Sequence, residues 1–350
     1  MTFQRFTPME YLMIDVANNF GHDKLNWDDR IAWFKTNEAN LSALQKEAAE
    51  PALYFAGVNA YYKAKQGQPI NYPISLDATA SGAQILATLI GCRKSAALCN
   101  VIDNGKRMDL YTAIYEIMLG SLAPEEGDEN PIEGTNITRK DVKQAVMTAL
   151  YGSTAQPRQV FGEGELLDLF YSVMSEHAAG IWQLNEALLS LWRPSALSHD
   201  WVLPDNFHVH VNVMDDQATR IDVLDSSYTV FSKINRPMKK GLSIGANVVH
   251  SIDGMIVREM SRRCSYDPEH LIKLIEMIMH SSYERNVKGD RKKDILLKTI
   301  WAHYEKSGFL SARVLDLLDE HNMALVDYSV IMKLIKSLPE KPFHVLAIHD

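Results

Sequence analysis

Apolar and polar positions along this chain fall into long stretches of helical period separated by short polar breaks. They predict helices over 6–22 and 27–65, with Asn26 as an N-cap and Asp28 and Asp29 in a first turn whose dipole favours acids. Residues 73–77 (Pro-Ile-Ser-Leu-Asp) read as a short buried strand with a polar end, and Ser81–Gly91 as a helix with small residues at its start. A helix follows over 107–119. The stretch 122–136, with Pro, Gly, Asn and four clustered acids (Glu125, Glu126, Asp128, Glu129), reads as a solvated loop. The best-defined helix is 138–151, where Thr138 and Asp141 make a capping box and Gly152 is the stop signal. Two helices continue over 159–192. The period then changes: 207–213 alternates strictly and 226–234 is rich in β-branched and aromatic residues, the signature of a small antiparallel sheet. Helices resume at 245–263, 267–287, 290–306 and 310–337. The chain closes on an apolar strand running into His349-Asp350.

Composition narrows the class. The chain has 350 residues, 46% of them hydrophobic, which allows a sizeable core and, at about 100–200 residues per domain, two domains or one large one with subdomains. Only 18 Gly and 13 Pro interrupt it, so the protein is helix-rich, and collagenous, low-complexity or disordered readings are excluded. The net charge of −8 removes a whole-chain basic footprint for nucleic acid and leaves room for a local cationic patch. Cys92, Cys99 and Cys264 are too few and too badly spaced for a disulfide framework or a zinc site, and suit reduced thiols in a cytosol. No secretory leader pattern opens the sequence, and no apolar run reaches the ~18 residues a membrane span requires, so no membrane partner is expected.

Three constellations carry candidate chemistry. Asp77 leaves the predicted strand for a turn of small residues (Ala78-Thr79-Ala80-Ser81-Gly82), a position for a metal ligand or a helix cap. Arg139, Lys143, Met147 and Tyr151 recur four apart on one helix face, so two cations and an aromatic could grip a triphosphate, or form a solvated basic face. His349-Asp350 ends the terminal apolar run. Separated strand-end aspartates with a cationic helix between them in sequence fit two-metal phosphoryl transfer, and magnesium suits such a site because it needs one or two carboxylates besides substrate phosphates and water. His208 and His210 share a strand face without a supporting ligand. Lys233, Arg236, Lys239 and Lys240 touch phosphates or solvent equally well, and Lys288 with Arg291–Lys293 reads as a solvated helix start.

These segments resemble the single-subunit DNA-directed RNA polymerases of bacteriophages and mitochondria. Residues 74–84 are similar to the family's first motif at Asp77, Ser81, Gly82 and Gln84. Residues 139–152 are similar to its fingers-helix motif at Arg139, Lys143, Val146, Met147, Thr148, Tyr151 and Gly152. Residues 246–254 resemble the histidine segment, 343–350 the third motif, and 48–57 and 109–114 the stretches around the first. Ala78 stands where glycine is usual and Ile85 where histidine often follows the glutamine.

The resemblance implies an α+β, mostly helical polymerase palm and fingers with a small antiparallel palm sheet. Its parts would be 1–136 (palm with the first motif), 137–200 (fingers with the Arg/Lys/Tyr helix) and 201–350 (the remaining fingers and palm). It implies template-directed ribonucleotidyl transfer with release of pyrophosphate. Asp77 and Asp350 would bind two Mg²⁺ ions with the Ala78 carbonyl, Lys143 would stabilise charge at the phosphates, and Arg139 would hold the distal phosphates. Tyr151 would discriminate ribose with His250 nearby, and Tyr111 would lie close to the base. A DNA template, an RNA product and nucleoside triphosphates would be its partners. No Asp-x-x-Gly-Arg segment occurs in the sequence. A second subunit is therefore expected to supply the thumb and N-terminal domain, as in heterodimeric phage enzymes working in the cytoplasm of an infected bacterium. A family A DNA polymerase relative and a non-catalytic polymerase-like scaffold for nucleic acid are the alternatives.

Overall fold

The computed structural model describes residues 6–76, 78–122, 137–280 and 290–347. In chain order its helices are α1 (Pro8–Ala17), α2 (Trp27–Asn37), α3 (Pro51–Lys65), α4 (Ser81–Ile90), α5 (Arg93–Leu98), α6 (Leu110–Leu122), α7 (Arg139–Ala149), α8 (Ala155–Phe161), α9 (Glu165–His177) and α10 (Ala179–Ser190). Strands β1 (Ser198–Val202), β2 (His208–Asn212), β3 (Met214–Val223) and β4 (Ser226–Asn235) follow, then α11 (Ser243–Cys264), α12 (Pro268–Met279), α13 (Arg291–Ser307), α14 (Arg313–Leu317) and α15 (Tyr328–Lys336). At 59% helix, the mostly helical α+β reading holds. The chain divides into two compact units, one comprising 1–143 with 169–180 and the other 144–168 with 181–350.

In the first unit α1, α2 and α3 bury Leu12, Ile14, Val16, Phe34, Tyr54 and Val58 against one another. α1 starts on a capping box in which Thr7 and Glu10 satisfy each other's backbone donors, with Pro8 in the first turn. The helix expected over 27–65 is interrupted. Short 3₁₀ turns occupy 38–40 and 43–47, and a new helix begins at Pro51, whose ring fits only a first turn. Asn26 makes no side-chain cap; its Oδ1 instead accepts the Arg107 N–H at 3.1 Å. Gly57 lies inside α3 because the helices approach closely there: a Cβ would meet Val16 Cγ2 at 2.9 Å and the Tyr72 hydroxyl at 3.3 Å.

The strand expected at 73–77 is absent over its described part, 73–76, and Leu76 is 59% exposed rather than buried. Pro73 has no N–H to offer a neighbouring strand. The Ser75 N–H is taken by the Asp15 carboxylate at 3.0 Å, and Asp15 also accepts the Tyr72 hydroxyl at 2.6 Å. Asp15, only 1% exposed, thus pins an irregular segment to α1, and burial pushes its carboxyl above the ordinary range.

In the second unit the strands form two separate antiparallel ribbons, β1–β2 and β3–β4, where a single small sheet was expected. The alternation at 207–213 gave β2 correctly, while β1 and β3 escaped notice because their polar residues mask the period. Helical pattern at 310–337 resolves into α14, a 3₁₀ turn and α15, and 343–347 are irregular where a strand was expected. The core of this unit gathers Leu274, Leu297, Ile300, Val314, Met323 and Ile331. Beside it lies a cluster of charges. Asp205, whose side chain is fully buried, accepts from Arg258 Nε at 2.8 Å and Arg262 Nη1 at 3.0 Å. Glu259 accepts from Arg262 Nη1 at 2.8 Å and from the Ala312 N–H at 2.9 Å. Burial acts to raise the Asp205 carboxyl, but the two guanidinium groups outweigh it and hold it below the ordinary value.

A carboxylate with a lowered folded pKa stabilises the fold above its unfolded value of 3.8, and that stability is lost as pH falls through the lower folded value. Asp205→Ala is expected to cost about 1–3 kcal/mol at neutral pH, because the half-buried Arg258 and Arg262 lose the buried carboxylate they share, Arg262 keeping only Glu259. In denaturant unfolding the gap between wild type and variant should close below pH 3.8. A gap that persists at the lowest pH would contradict the ion-pair account.

Candidate nucleotide site

α7 exists because its apolar positions are spaced for one face. Val142, Ala145 and Val146 are fully buried, with Ala149 and Leu150 nearly so. The opposite positions hold Lys143 and Met147, both exposed, and Arg139 and Tyr151, half-buried. The expected capping box is present: the Thr138 N–H donates to Asp141 Oδ2 at 3.0 Å and the Asp141 N–H to Thr138 Oγ1 at 3.3 Å. The helix stops as expected at Gly152, whose φ of +84° belongs to the left-handed region. Its N–H donates to the Ala149 carbonyl at 2.9 Å and that of Ser153 to Thr148 at 2.9 Å. A Cβ at 152 would meet Leu189 Cδ2 at 2.9 Å and the Leu242 carbonyl oxygen at 3.0 Å. Backbone conformation and lack of space therefore both require glycine after Tyr151.

Two groups of the expected site residues assemble, one in each unit. In the first unit Arg139 donates Nε to Thr112 Oγ1 at 2.7 Å and Nη2 to Asp109. The Oδ1 of Asp109 accepts the N–H groups of Tyr111 at 3.0 Å and Thr112 at 3.2 Å, so the same carboxylate caps α6. Burial raises the Asp109 carboxyl, but the Arg139 and Thr112 hydrogen bonds and the guanidinium charge prevail and hold it below the ordinary range. Lys143 Nζ lies 5.6 Å from the centroid of the Tyr111 ring, a cation–π contact. Tyr111, distant in sequence, thus joins Arg139 and Lys143 in one cluster.

In the second unit Tyr151 and His250 meet with ring centroids 5.3 Å apart. Burial, and then the negative charge of Asp253, push the Tyr151 phenol upward, so it stays a hydrogen-bond donor at neutral pH.

Asp77, His349 and Asp350 lie outside the described residues, and Ala78 is exposed on an irregular segment. What the structure does show is how the chain beyond Asp77 is held. Asn100, in a left-handed conformation at φ +62°, donates to Thr79 Oγ1 at 2.9 Å and to the Met108 carbonyl at 2.8 Å, and accepts the Met108 N–H at 2.7 Å. Gln84 donates to the Cys99 carbonyl at 2.7 Å. The turn after Asp77 is in this way tied to the loop that ends in Asp109. The candidate donors are two carboxylates and a backbone carbonyl, hard oxygens that suit Mg²⁺ rather than zinc. Among the described residues no cluster of three His, Cys, Asp or Glu forms another metal site.

Three of the remaining candidates have local partners. Lys233 pairs with Asp216 at 2.8 Å and Arg236 with Asp215 at 2.6 Å, across β3–β4. His210 pairs with Asp200 and Asn212. Asp109, Asn100 and Asp15 escaped the sequence reading. For Asp109 the signal was there: an Asp one residue before an apolar helical run is an N-cap.

The family described as DNA-dependent RNA polymerase matches residues 7–169, which take in the motifs from 48–57 to Gly152 but neither His250 nor Asp350. Similar proteins include the DNA-directed RNA polymerase of Pseudomonas phage phiKMV, 26% identical over 170 residues, 41% of this chain and 21% of the relative. A probable DNA-directed RNA polymerase of Neurospora crassa is 27% identical over 158 residues, 42% of this chain and 18% of the relative. The mitochondrial DNA-directed RNA polymerase of Schizosaccharomyces pombe is 27% identical over 217 residues, 55% and 19%. The chain spans about a fifth of the length of these curated relatives. By this match it is a relative of nucleotidyltransferases. Residues 7–169 are in this way similar to the phage and mitochondrial DNA-dependent RNA polymerases. Among the described residues no helix is long and apolar enough to cross a membrane.

Gly152→Ala is expected to destabilise the protein by at least about 1–2 kcal/mol from the left-handed backbone alone. Denaturant unfolding checks it; a loss below about 0.5 kcal/mol, the scatter of ordinary surface changes, would contradict the requirement.

Proposed function

We propose that this chain carries the nucleotidyl-transfer centre of a DNA-directed RNA polymerase that copies a DNA template into RNA from ribonucleoside triphosphates. The observation that supports it most is the cluster of Arg139 and Lys143 on the outward face of α7, within a segment related to that family. In this reading residues 1–136 contribute palm, 137–200 fingers with the Arg/Lys/Tyr helix, and 201–350 the remaining fingers and palm.

Arg139 would bind the distal phosphates of the incoming nucleotide through its planar fork of donors. Lys143 would neutralise charge on the phosphates as the primer 3′-oxygen bonds to the α-phosphorus and the bond to the β-phosphate oxygen breaks, and would protonate the departing pyrophosphate. Its mobile ammonium suits that task better than a second guanidinium. Tyr111, beneath Lys143, would face the base. The Tyr151 hydroxyl, with His250 beside it, would hydrogen-bond the ribose 2′-OH and be left unpaired by a deoxyribose. Asp77, Asp350 and the Ala78 carbonyl would hold two magnesium ions, which when bound would supply Lewis-acid stabilisation of the attacking and leaving oxygens.

A second polymerase subunit would complete the enzyme, forming a heterodimer in the cytoplasm of an infected bacterium. Two features support it. A growing hybrid needs a cationic wall, whereas this chain carries −8. On α3, Leu53 and Phe55 are 53% and 50% exposed, apolar area of the kind that partners cover.

The direct test is RNA-primed extension on single-stranded DNA with Mg²⁺, with and without a candidate partner. Asp77→Asn and Asp350→Asn should each lower nucleotide addition about a thousandfold or more while leaving thermal unfolding unchanged. Retention of about a tenth of wild-type rate would remove these aspartates from the chemistry. In the same assay Tyr151→Phe should keep ribonucleotide addition but lower the ribo-to-deoxyribo preference about tenfold, the worth of one unpaired buried donor. An unchanged preference would assign sugar selection to another residue.

A further inference from the structure

We propose that Asp109 is the positioning residue for Arg139, and that the pair makes affinity for the incoming nucleotide depend on how many phosphates it carries. The proposal rests on the reading above, in which Arg139 meets the distal phosphates.

An unsupported arginine lacks a fixed conformation. Its long side chain samples many rotamers, and a phosphate that binds it must first still them. Here they are already stilled. Nε donates to Thr112 Oγ1 at 2.7 Å and Nη2 to Asp109, so two of the roughly five guanidinium donors are committed to α6. Among the described residues Nη1 has no hydrogen-bond partner, and the side chain is 40% exposed, so this end of the fork is available to an anion.

Asp109 does more than pair a charge. Its other oxygen accepts the N–H groups of Tyr111 and Thr112, which locks the carboxylate to the first turn of α6. The Thr112 that presents Oγ1 to Arg139 belongs to that turn, and so does the Tyr111 whose ring lies under Lys143. One carboxylate therefore sets the guanidinium in register with the second cation of the cluster. Met108, immediately before it, is held by Asn100, which also binds Thr79, two residues past Asp77. Asp109 is thereby fixed on its own N-terminal side by the loop that leaves the first motif. A carboxylate beside a phosphate-binding arginine also repels phosphate. The two effects are separated by donor: Nε and Nη2 are engaged by Thr112 and Asp109, so an anion would bind through Nη1, and the experiment below reads which effect prevails.

Asp109→Asn separates the roles. Asparagine caps a helix as well as aspartate does, so α6 keeps its N-cap, while the charge that holds Arg139 is gone. The experiment is equilibrium dialysis of ATP, ADP and AMP with Mg²⁺ against the full chain on an RNA-primed single-stranded DNA, repeated with any partner subunit bound. In Asp109→Asn the affinity for ATP should fall about tenfold, with a smaller loss for ADP and almost none for AMP, and thermal unfolding should be unchanged. In an Arg139→Ala background the same substitution should add nothing, because the two residues act as one unit. An unchanged or tighter ATP affinity would overturn the proposal, and so would an equal loss for all three nucleotides or a fully additive double variant. Should Arg139→Ala alone leave ATP affinity unchanged, it is the assignment of Arg139 to the phosphates that fails. A wild-type chain that binds none of the three would overturn both.

Discussion

The apolar stripe of α7 constrains everything proposed for this protein. Val142, Ala145, Val146, Ala149 and Leu150 must leave water together, and each buried valine contributes about 1.5–3 kcal/mol to doing so. Once they are inside, the helix has no rotational freedom left. Arg139, Lys143 and Met147 are then delivered outward by geometry, and there Arg139 meets Thr112 and Asp109 and Lys143 meets the Tyr111 ring. The proposed nucleotide face is in this sense a by-product of the core. Gly152 completes the arrangement by ending the helix in a conformation and a space that penalise a side chain.

Outside the helices, single polar side chains take over the work of secondary structure. Asp15 holds the approach to Asp77 by accepting the Ser75 N–H that a neighbouring strand would otherwise take. Asn100 and Gln84 tie the turn beyond it to the following loop, and Asp109 caps α6 while gripping Arg139. Each spends a buried or half-buried polar group where an irregular backbone has unsatisfied donors and acceptors. The backbone here follows these staples, at the cost of the regularity that a strand or helix would have supplied.

This division explains what was legible in the sequence. α7, its capping box and its stop were readable because period, cap and glycine agree there. So were the exposed cationic face and the likeness to DNA-directed RNA polymerases, which the family match at 7–169 bears out. The meeting of Tyr151 and His250 followed from the likeness alone, since no local pattern links residues a hundred apart. The strand at 73–77 was misread because an apolar run before a turn looks the same whether its N–H groups meet a strand or a carboxylate. The interruption of the helix at 38–50 was hidden in helix-forming composition, although Pro51 marked the restart. Asp109, Asn100 and Asp15 left little trace because a staple is defined by what it reaches across the fold, and spacing does not encode that.

The most direct test of the central claim, that the outward face of α7 receives the triphosphate, is affinity labelling. ATP carrying an amine-reactive aldehyde on its terminal phosphate would be bound to the chain on a primed template, reduced with borohydride, and the labelled lysines mapped by peptide mass spectrometry. The account predicts that Lys143 carries the label, that Lys140 on another face of the same helix does not, and that unmodified ATP protects Lys143. Label concentrated on lysines outside α7, such as Lys239 and Lys240, or label indifferent to competing ATP, would contradict it.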